Sequence, residues 1–339
     1  MDEPMVSVLM PVRNASETLE RAIASICSQT LREWELIVVD DFSEDGSFAM
    51  LEGLAKTDQR IRPVKSKSRG IVPALNTGLE LARGRFVARM DADDYSHPDR
   101  LETQAEFLAA HPQIGVVGCL VGFGGDRSRS AGFALHVDWL NTLLSHEQIS
   151  LNRFIESPLV HPSVMFRREL PDRFGGYREG DFPEDYELWL RWLEAGVRIA
   201  KVPRELVIWH DSLKRLSRTD PRYRTKAFYK CKAEYIARWL HANVAMERRI
   251  LVWGAGRETR LRAEHLTKHG VEINGYIDID PQKQTRRFRD RAVIGPEALP
   301  IPNEVFVLGY VSKRGARELI RARLANAGYT EGRDFIMAA

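Results

Sequence analysis

Residues 5–41, MVSVLMPVRNASETLERAIASICSQTLREWELIVVDD, decide the fold class of this chain. Met5 to Val12 is an apolar, β-branched run that closes on Pro11 and Val12, and Trp34 to Val39 is a second, closed by Asp40 and Asp41. Unbroken apolar runs of this length predict strands covered on both faces, as in a parallel sheet. Between them Ser16 and Glu17 open a segment in which Leu19, Ala22, Ile23, Ile26 and Cys27 recur at helical spacing. Strand, helix, strand is the unit of an α/β fold, because neighbouring parallel strands need a crossover between them.

The alternation continues outward from this unit. Ser47 to Lys56 reads as a helix, Ile61 to Lys65 as a short strand, Pro73 to Ala82 as a helix capped by Gly84, and Arg85 to Met90 as a strand. Ile114 to Gly125 reads as a buried strand and a turn. Ser130 to Leu159 is irregular, with helical stretches at Trp139–Leu144 and Ile149–Phe154, and is expected to be an insertion over the cleft. His161 to Arg167 predicts a strand, Tyr186 to Ala195 an amphipathic helix ending at Gly196, and Val197 to Val202 another strand. Lys226 to Asn243 reads as a long connecting helix with Phe228, Tyr235, Ile236, Trp239 and Leu240 along one side. A second start follows: the strand Arg249 to Trp253, Gly254-Ala255-Gly256, a helix from Glu258 to His269, a strand from Val271 to Asp278, and strands near Val293 and Val305–Leu308. The expected division is an α/β domain over 1–224, a connector over 225–247, and a small Rossmann-like α/β domain over 248–339.

Composition bounds the function. The 339 residues suffice for two domains with real cores, and 44% hydrophobic against 29% charged residues excludes a disordered chain. Fifty Lys and Arg against 47 Asp and Glu is too even a balance to argue for nucleic acid as a partner. Cys27, Cys119 and Cys231 are far apart and in apolar surroundings, so they read as buried thiols of a reducing compartment. No signal-peptide pattern follows Asp2 and Glu3, and the apolar stretch Ile114–Gly125 is well short of the ~20 residues that span a bilayer. A cytoplasmic location without a transmembrane segment is expected. Arg286, Arg287, Arg289 and Arg291 leave peripheral attachment to the inner face of a membrane open beside a solvated loop, and homo-oligomerisation is open too.

Four acidic sites carry the chemistry. Asp40 and Asp41, followed by Phe42, Ser43, Asp45 and Gly46, end a strand at the edge where α/β sheets bind ligands; a capped turn explains the same residues. Asp91-Ala92-Asp93-Asp94 places three carboxylates in four residues after a strand, a density that costs repulsion unless a cation meets it. Mg²⁺ or Mn²⁺, which take carboxylate oxygens together with phosphates, fit better than a closed Ca²⁺ loop. Pro183-Glu184-Asp185 precedes a helix and reads either as an N-cap or as a general base. In Trp209-His210-Asp211, His210 is either a ligand or a core histidine.

Together the runs SVLMPVRNASETLERAIASICSQTLREWELIVVDDFSEDG, RGIVPALNTGLELARGRFVARMDADDYSHPDRLE, HPSVMFRRE and PEDYELWLR resemble the family 2 nucleotide-sugar glycosyltransferases of bacteria, over residues 5 to 220. The resemblance implies a GT-A type fold with a mostly parallel mixed sheet and inverting transfer from a nucleoside-diphosphate sugar, here a UDP-sugar. By the same resemblance Pro11, Val12, Arg13 and Asp41 line the nucleoside pocket with Arg69 beside them, and Asp91 lies near the ribose or sugar. Asp93 holds the divalent ion that bridges the diphosphate, with Asp91 and His210 completing the metal site. Asp185 is the catalytic base and Glu184 its neighbour on the side of a glycan or lipid-linked acceptor of surface polysaccharide synthesis. One base agrees with direct displacement, whereas a retaining glycosidase needs a paired nucleophile and acid. Arg215 or Arg218, in the loop after His210, would reach phosphate from there.

The 248–339 domain resembles small Rossmann-like modules attached to sugar-processing enzymes. Its Gly254-Ala255-Gly256 begins a dinucleotide fingerprint, but Thr259 stands where Gly or Ala is wanted and Asp278 lies beyond the usual spacing, which argues against NAD(P). The rival from another class is a non-catalytic nucleotide-sugar binding or scaffold protein acting through this module.

Overall fold

Val6–Val12 (β1) and Trp34–Asp40 (β2) are strands buried along their whole length, paired in parallel with Val6 opposite Trp34 and Val12 opposite Asp40. The helix between them, Leu19–Cys27, turns Leu19, Ala22, Ile23 and Ile26 into the core, the stripe its spacing requires. Ile61–Lys65 (β3), Phe86–Arg89 (β4), Tyr95–Ser96 (β5), Val116–Phe123 (β6), Met165–Arg167 (β7) and Ile199–Trp209 (β8) complete an eight-stranded sheet. Its order is β3-β2-β1-β4-β7-β6-β8-β5. Pairing is parallel from β3 to β4 and between β6 and β8; β7 runs antiparallel to β4 and β6, and β5 antiparallel to β8. Helices Ser47–Thr57 and Ile71–Leu81 supply the other crossovers of the parallel half.

The computed structural model describes residues 3–212 and 215–339; Asp2, named in the sequence reading, lies outside them. Two units form the chain. One comprises the residues up to Ile149 with Pro158–Gly180 and Arg191–Thr219, and the other Ser150–Ser157, Asp181–Leu190 and Asp220–Ala339.

In the second unit Arg249–Trp253 (β9), Ile273–Ile277 (β10), Arg287–Phe288 (β11), Arg291–Ile294 (β12), Val305–Gly309 (β13) and Phe335–Met337 (β14) form a sheet of order β11-β12-β10-β9-β13-β14. All its pairs are parallel except β11 with β12, so the strand order reverses beside β9 in the doubly wound manner. A Cβ on Gly254 would stand 2.9 Å from side-chain carbons of Thr259 and Val311, and Asp278 accepts the Ala255 N–H at 2.8 Å and pairs with Lys283 at 3.2 Å. Of the basic patch, Arg289 and Arg291 pair with Glu264. Among the described residues no helix is long and apolar enough to cross a membrane.

Several local expectations change. The helix expected over Pro73–Ala82 runs Ile71–Leu81 and ends at Ala82 in extended backbone, and Gly84 does not cap it. Gly84 lies against β1 instead: its Cβ would fall 2.5 Å from the Ser7 amide nitrogen, so only glycine permits that approach. His161–Ser163 is a single 3-10 turn, and the strand begins only at Met165. The helical stretches in the irregular region are Ala131–Asn141 and His146–Asn152. Val197–Val202 is part of a longer strand, because β8 continues to Trp209 along β6. Cys119 and Cys231 are buried as expected, but Cys27, the last residue of its helix, is partly exposed.

At the amino end of the sheet Glu35, with a side chain 3% exposed, accepts from Ser7 Oγ at 2.7 Å and from Arg83 at 2.7 Å, and it pairs with Arg62. Burial raises its pKa, but the bonds from Arg83, Ser7 and Arg62 outweigh burial and hold it below the usual carboxylate value. A lowered folded pKa gives stability that is fully present above the unfolded value and is lost as pH falls through the folded one. Glu35→Gln is therefore expected to cost roughly 2 kcal/mol at pH 7 and progressively less in acid, measured by urea unfolding across pH; a cost independent of pH refutes it.

Candidate active site

The carboxyl ends of β1 and β2 build one side of the site. Pro11 and Val12 are the buried last residues of β1, and the Val12 carbonyl accepts the Asp41 N–H at 2.7 Å. Asp41 Oδ1 accepts the Gly70 N–H at 2.7 Å, Arg13 lies 3.7 Å from Asp41 Oδ2, and Arg69 pairs with Glu44 at 3.2 Å. Pro11, Val12, Arg13, Asp41 and Arg69 thus lie close together at the ends of β1 and β2 and in the loop before Gly70.

Their two loops are fastened by a network no single motif reveals. Asn14 N–H donates to Ser43 Oγ at 3.0 Å, Asn14 Oδ1 accepts the Glu44 N–H at 2.8 Å, and Asp45 accepts from Ser16 N–H at 2.9 Å and Ser47 Oγ at 2.6 Å. Burial raises the Asp45 pKa, yet the hydroxyl and amide donors of Ser47 and Ser16 hold it far below the usual carboxylate range. Asn14 and Phe42 sit at φ 50° and 55°, left-handed backbone without glycine in exactly these loops.

The acidic cluster follows β4. Ligand oxygens of Asp91, Asp93 and Asp94 lie within 4.8 Å of one another, the one such group of potential metal ligands among the described residues. β5, two residues past Asp93, pairs Tyr95 and Ser96 with Ile208 and Val207 of β8, which brings His210 back to the cluster. The His210 N–H donates to Asp94 Oδ1 at 2.8 Å. His210 is not among the three grouped ligands, but its Nδ1 is buried without a partner. Burial, with Arg21 and Arg215 nearby, holds its pKa below the usual imidazole value, so the ring is neutral as a ligand must be.

Two arginines supply the positive charge this cluster needs. Arg89, at the end of β4, pairs with Asp91 Oδ1 at 2.6 Å. Arg215 lies 3.3 Å from Asp91 Oδ2 and 3.8 Å from Asp94 Oδ1, donates to the His210 carbonyl, and stacks 4.1 Å from the Trp209 ring centroid. Arg218 turns instead to Asp211. Burial pushes the Asp93 and Asp94 pKa values up; the neighbouring carboxylates add to this and Arg215 opposes it. Asp94, fully buried, keeps Oδ2 without a hydrogen-bond partner. Clustered hard oxygens, one of them orphaned, fit a divalent cation held by Asp91, Asp93 and Asp94. The sequence reading gave Arg89 no part and set Asp94 in the acidic cluster without naming it a ligand; an arginine near the end of the otherwise apolar run FVARM was the available signal for Arg89.

Glu184 and Asp185 belong to the second unit, in the first turn of the helix Glu184–Glu194 rather than before it. Glu184 is 3% exposed and accepts the Tyr223 hydroxyl, and Asp185 Oδ1 accepts the Tyr186 N–H at 2.7 Å.

The model of the family described as glycosyl transferase family 2 matches residues 7–174. EpsE of Bacillus subtilis is 34% identical over 201 residues, covering 58% of this chain and 69% of that protein. The chain belongs to glycosyl transferase family 2. A second relative of this glycosyltransferase, the amylovoran biosynthesis glycosyltransferase AmsE of Erwinia amylovora, is 31% identical over 60% of this chain and 75% of its own length. Among solved structures, TarS residues 1–349 of S. aureus in complex with UDP-GlcNAc superposes with a TM-score of 0.53 at 18% identity, covering 78% of this chain and 71% of that one, which shows the GT-A fold. The protein is accordingly an enzyme of hexosyl transfer with relatives in polysaccharide biosynthesis.

Removing one charge that now lies on the carboxylates should strengthen their hold on a cation. Arg215→Gln is expected to bind Mn²⁺ about tenfold more tightly without nucleotide, read by electron paramagnetic resonance titration; unchanged or weaker binding refutes Arg215's place there.

Proposed function

We propose that this enzyme moves a sugar, with inversion, from a UDP-sugar to a hydroxyl of a glycan or lipid-linked acceptor in surface polysaccharide assembly, and that it needs Mn²⁺ or Mg²⁺. The observation that carries the reading is the cluster of Asp91, Asp93 and Asp94 within 4.8 Å at the sheet edge that also holds Asp41. UDP-GlcNAc bound by TarS, and the amylovoran route named for AmsE, support the donor and acceptor classes.

In this reading Asp41 accepts from a base N–H while Pro11, Val12, Arg13 and Arg69 close around the nucleoside. Asp93 and Asp91, joined by Asp94 or His210, hold the ion, which when bound offsets the charge growing on the departing diphosphate. Arg215, 3.3 Å from Asp91, lies in the loop after His210 and gives a phosphate oxygen a second positive partner. Asp185 takes the proton of the attacking hydroxyl, and Glu184 orients the acceptor beside it. One base and one displacement invert the anomeric centre.

Asp185→Asn should abolish release of UDP in a screen of UDP-, GDP- and dTDP-sugars with Mn²⁺, yet keep the Mn²⁺-dependent thermal shift by the donor that wild type turns over. Asp93→Asn should lose that shift as well. Full turnover by Asp185→Asn removes the base assignment, and donor binding by wild type without turnover on any acceptor favours a scaffold protein.

A further inference from the structure

The helix that carries the acid pair is clasped by side chains from the segment after Asp220. Asp220 starts a 3-10 turn, Pro221–Tyr223, by accepting the Arg222 N–H at 2.9 Å. From the end of that turn Tyr223 Oη donates to Glu184 Oε2 at 2.5 Å. The helix that follows, Thr225–Asn243, adds two contacts to the same turn: Tyr235 Oη donates to Glu187 Oε1 at 2.6 Å, and the Phe228 ring packs on Tyr186 with centroids 5.3 Å apart. Tyr186 in turn gives its hydroxyl to the Arg153 carbonyl at 2.8 Å.

The two tyrosine bonds differ in what they hold. Glu187 is the fourth residue of the helix, whereas Glu184 is its first and adjoins Asp185. A carboxylate buried as deeply as Glu184 is costly without a donor, and its orientation is set by where that donor stands. Burial and the charges of Glu184 and Asp185 keep the proton on the Tyr223 phenol, so that group remains a donor wherever the enzyme works.

We propose that Tyr223 is a positioning residue for the acceptor: its hydroxyl fixes the Glu184 carboxylate, and with it the helical turn that presents Asp185, in the orientation that receives the attacking hydroxyl. This rests on the assignment of Glu184 and Asp185 to the acceptor side. It gives the segment beyond residue 220 a part in transfer, since the clasp comes from chain that follows residues 7–174, the stretch the family model matches.

The test compares Tyr223→Phe with Tyr235→Phe, each of which removes one hydroxyl bond to a buried glutamate of the same helix. Release of UDP is followed with Mn²⁺, UDP-GlcNAc or UDP-glucose as donor and octyl glucoside as acceptor. Tyr223→Phe should raise the acceptor KM about tenfold, the scale of one bond to a charged group, and leave the donor KM unchanged. Tyr235→Phe should lose a similar amount of thermal stability with both KM values unchanged. A thermal double-mutant cycle of Tyr223→Phe with Glu184→Gln should be non-additive. An additive cycle, or equal acceptor KM values in the two phenylalanine variants, overturns the proposal. Full turnover by Asp185→Asn overturns instead the acid-pair assignment on which it rests.

Discussion

Three carboxylates in four residues cannot share the buried end of a sheet unless positive charge meets them, and much of the first unit is arranged around that constraint. Arg89 reaches Asp91 from the last position of β4, where an apolar strand otherwise has no use for a guanidinium. Arg215 arrives from the far end of the unit, flat on Trp209, and spans Asp91 and Asp94. The main chain contributes as well, through the N–H of His210 on Asp94. What holds these parts in register is the short antiparallel pairing of β5 with β8. Two guanidinium groups against three carboxylates leave the cluster short of positive charge, which in the proposed reading a divalent ion would supply.

The loops after β1 and β2 are held in a different way. There the carboxylates are satisfied by backbone: Asp41 by Gly70 N–H, and Asp45 by the amides and hydroxyls of Ser16 and Ser47. Such bonds hold the loops after β1 and β2 to each other, in the loops where Asn14 and Phe42 adopt left-handed backbone. Strain of this kind persists only where surroundings over-determine it, which is common at ligand sites. In the proposed reading, a fixed loop pair on this side and a charge-poor carboxylate cluster on the other divide base recognition from diphosphate binding.

The second unit gathers segments that lie far apart along the chain. Its sheet has the doubly wound strand order, yet Thr259 and Val311 crowd Gly254, and Lys283 and the Ala255 N–H engage Asp278. It also includes Asp181–Leu190, so the acid pair folds with chain that comes after residue 220.

By itself the sequence determined what depends on neighbours along the chain. The period of apolar residues marked β1 and β2 to within a residue and the buried stripe of the helix between them, though not its start, which is capped at Thr18 and not at Ser16; burial of one stripe or of a whole strand is written locally. The motif residues at strand ends, Asp41 and Asp91 to Asp94, were legible for the same reason. Tertiary structure alone decided whatever needs partners far apart: Gly84 serves β1 rather than its own helix, Arg215 meets Asp91 across 124 residues, and Tyr223 meets Glu184 across 39. A two-residue strand such as β5 has no period to read, and the charge on a carboxylate depends on which guanidinium the fold brings to it. Spacing in the chain carries no information about either.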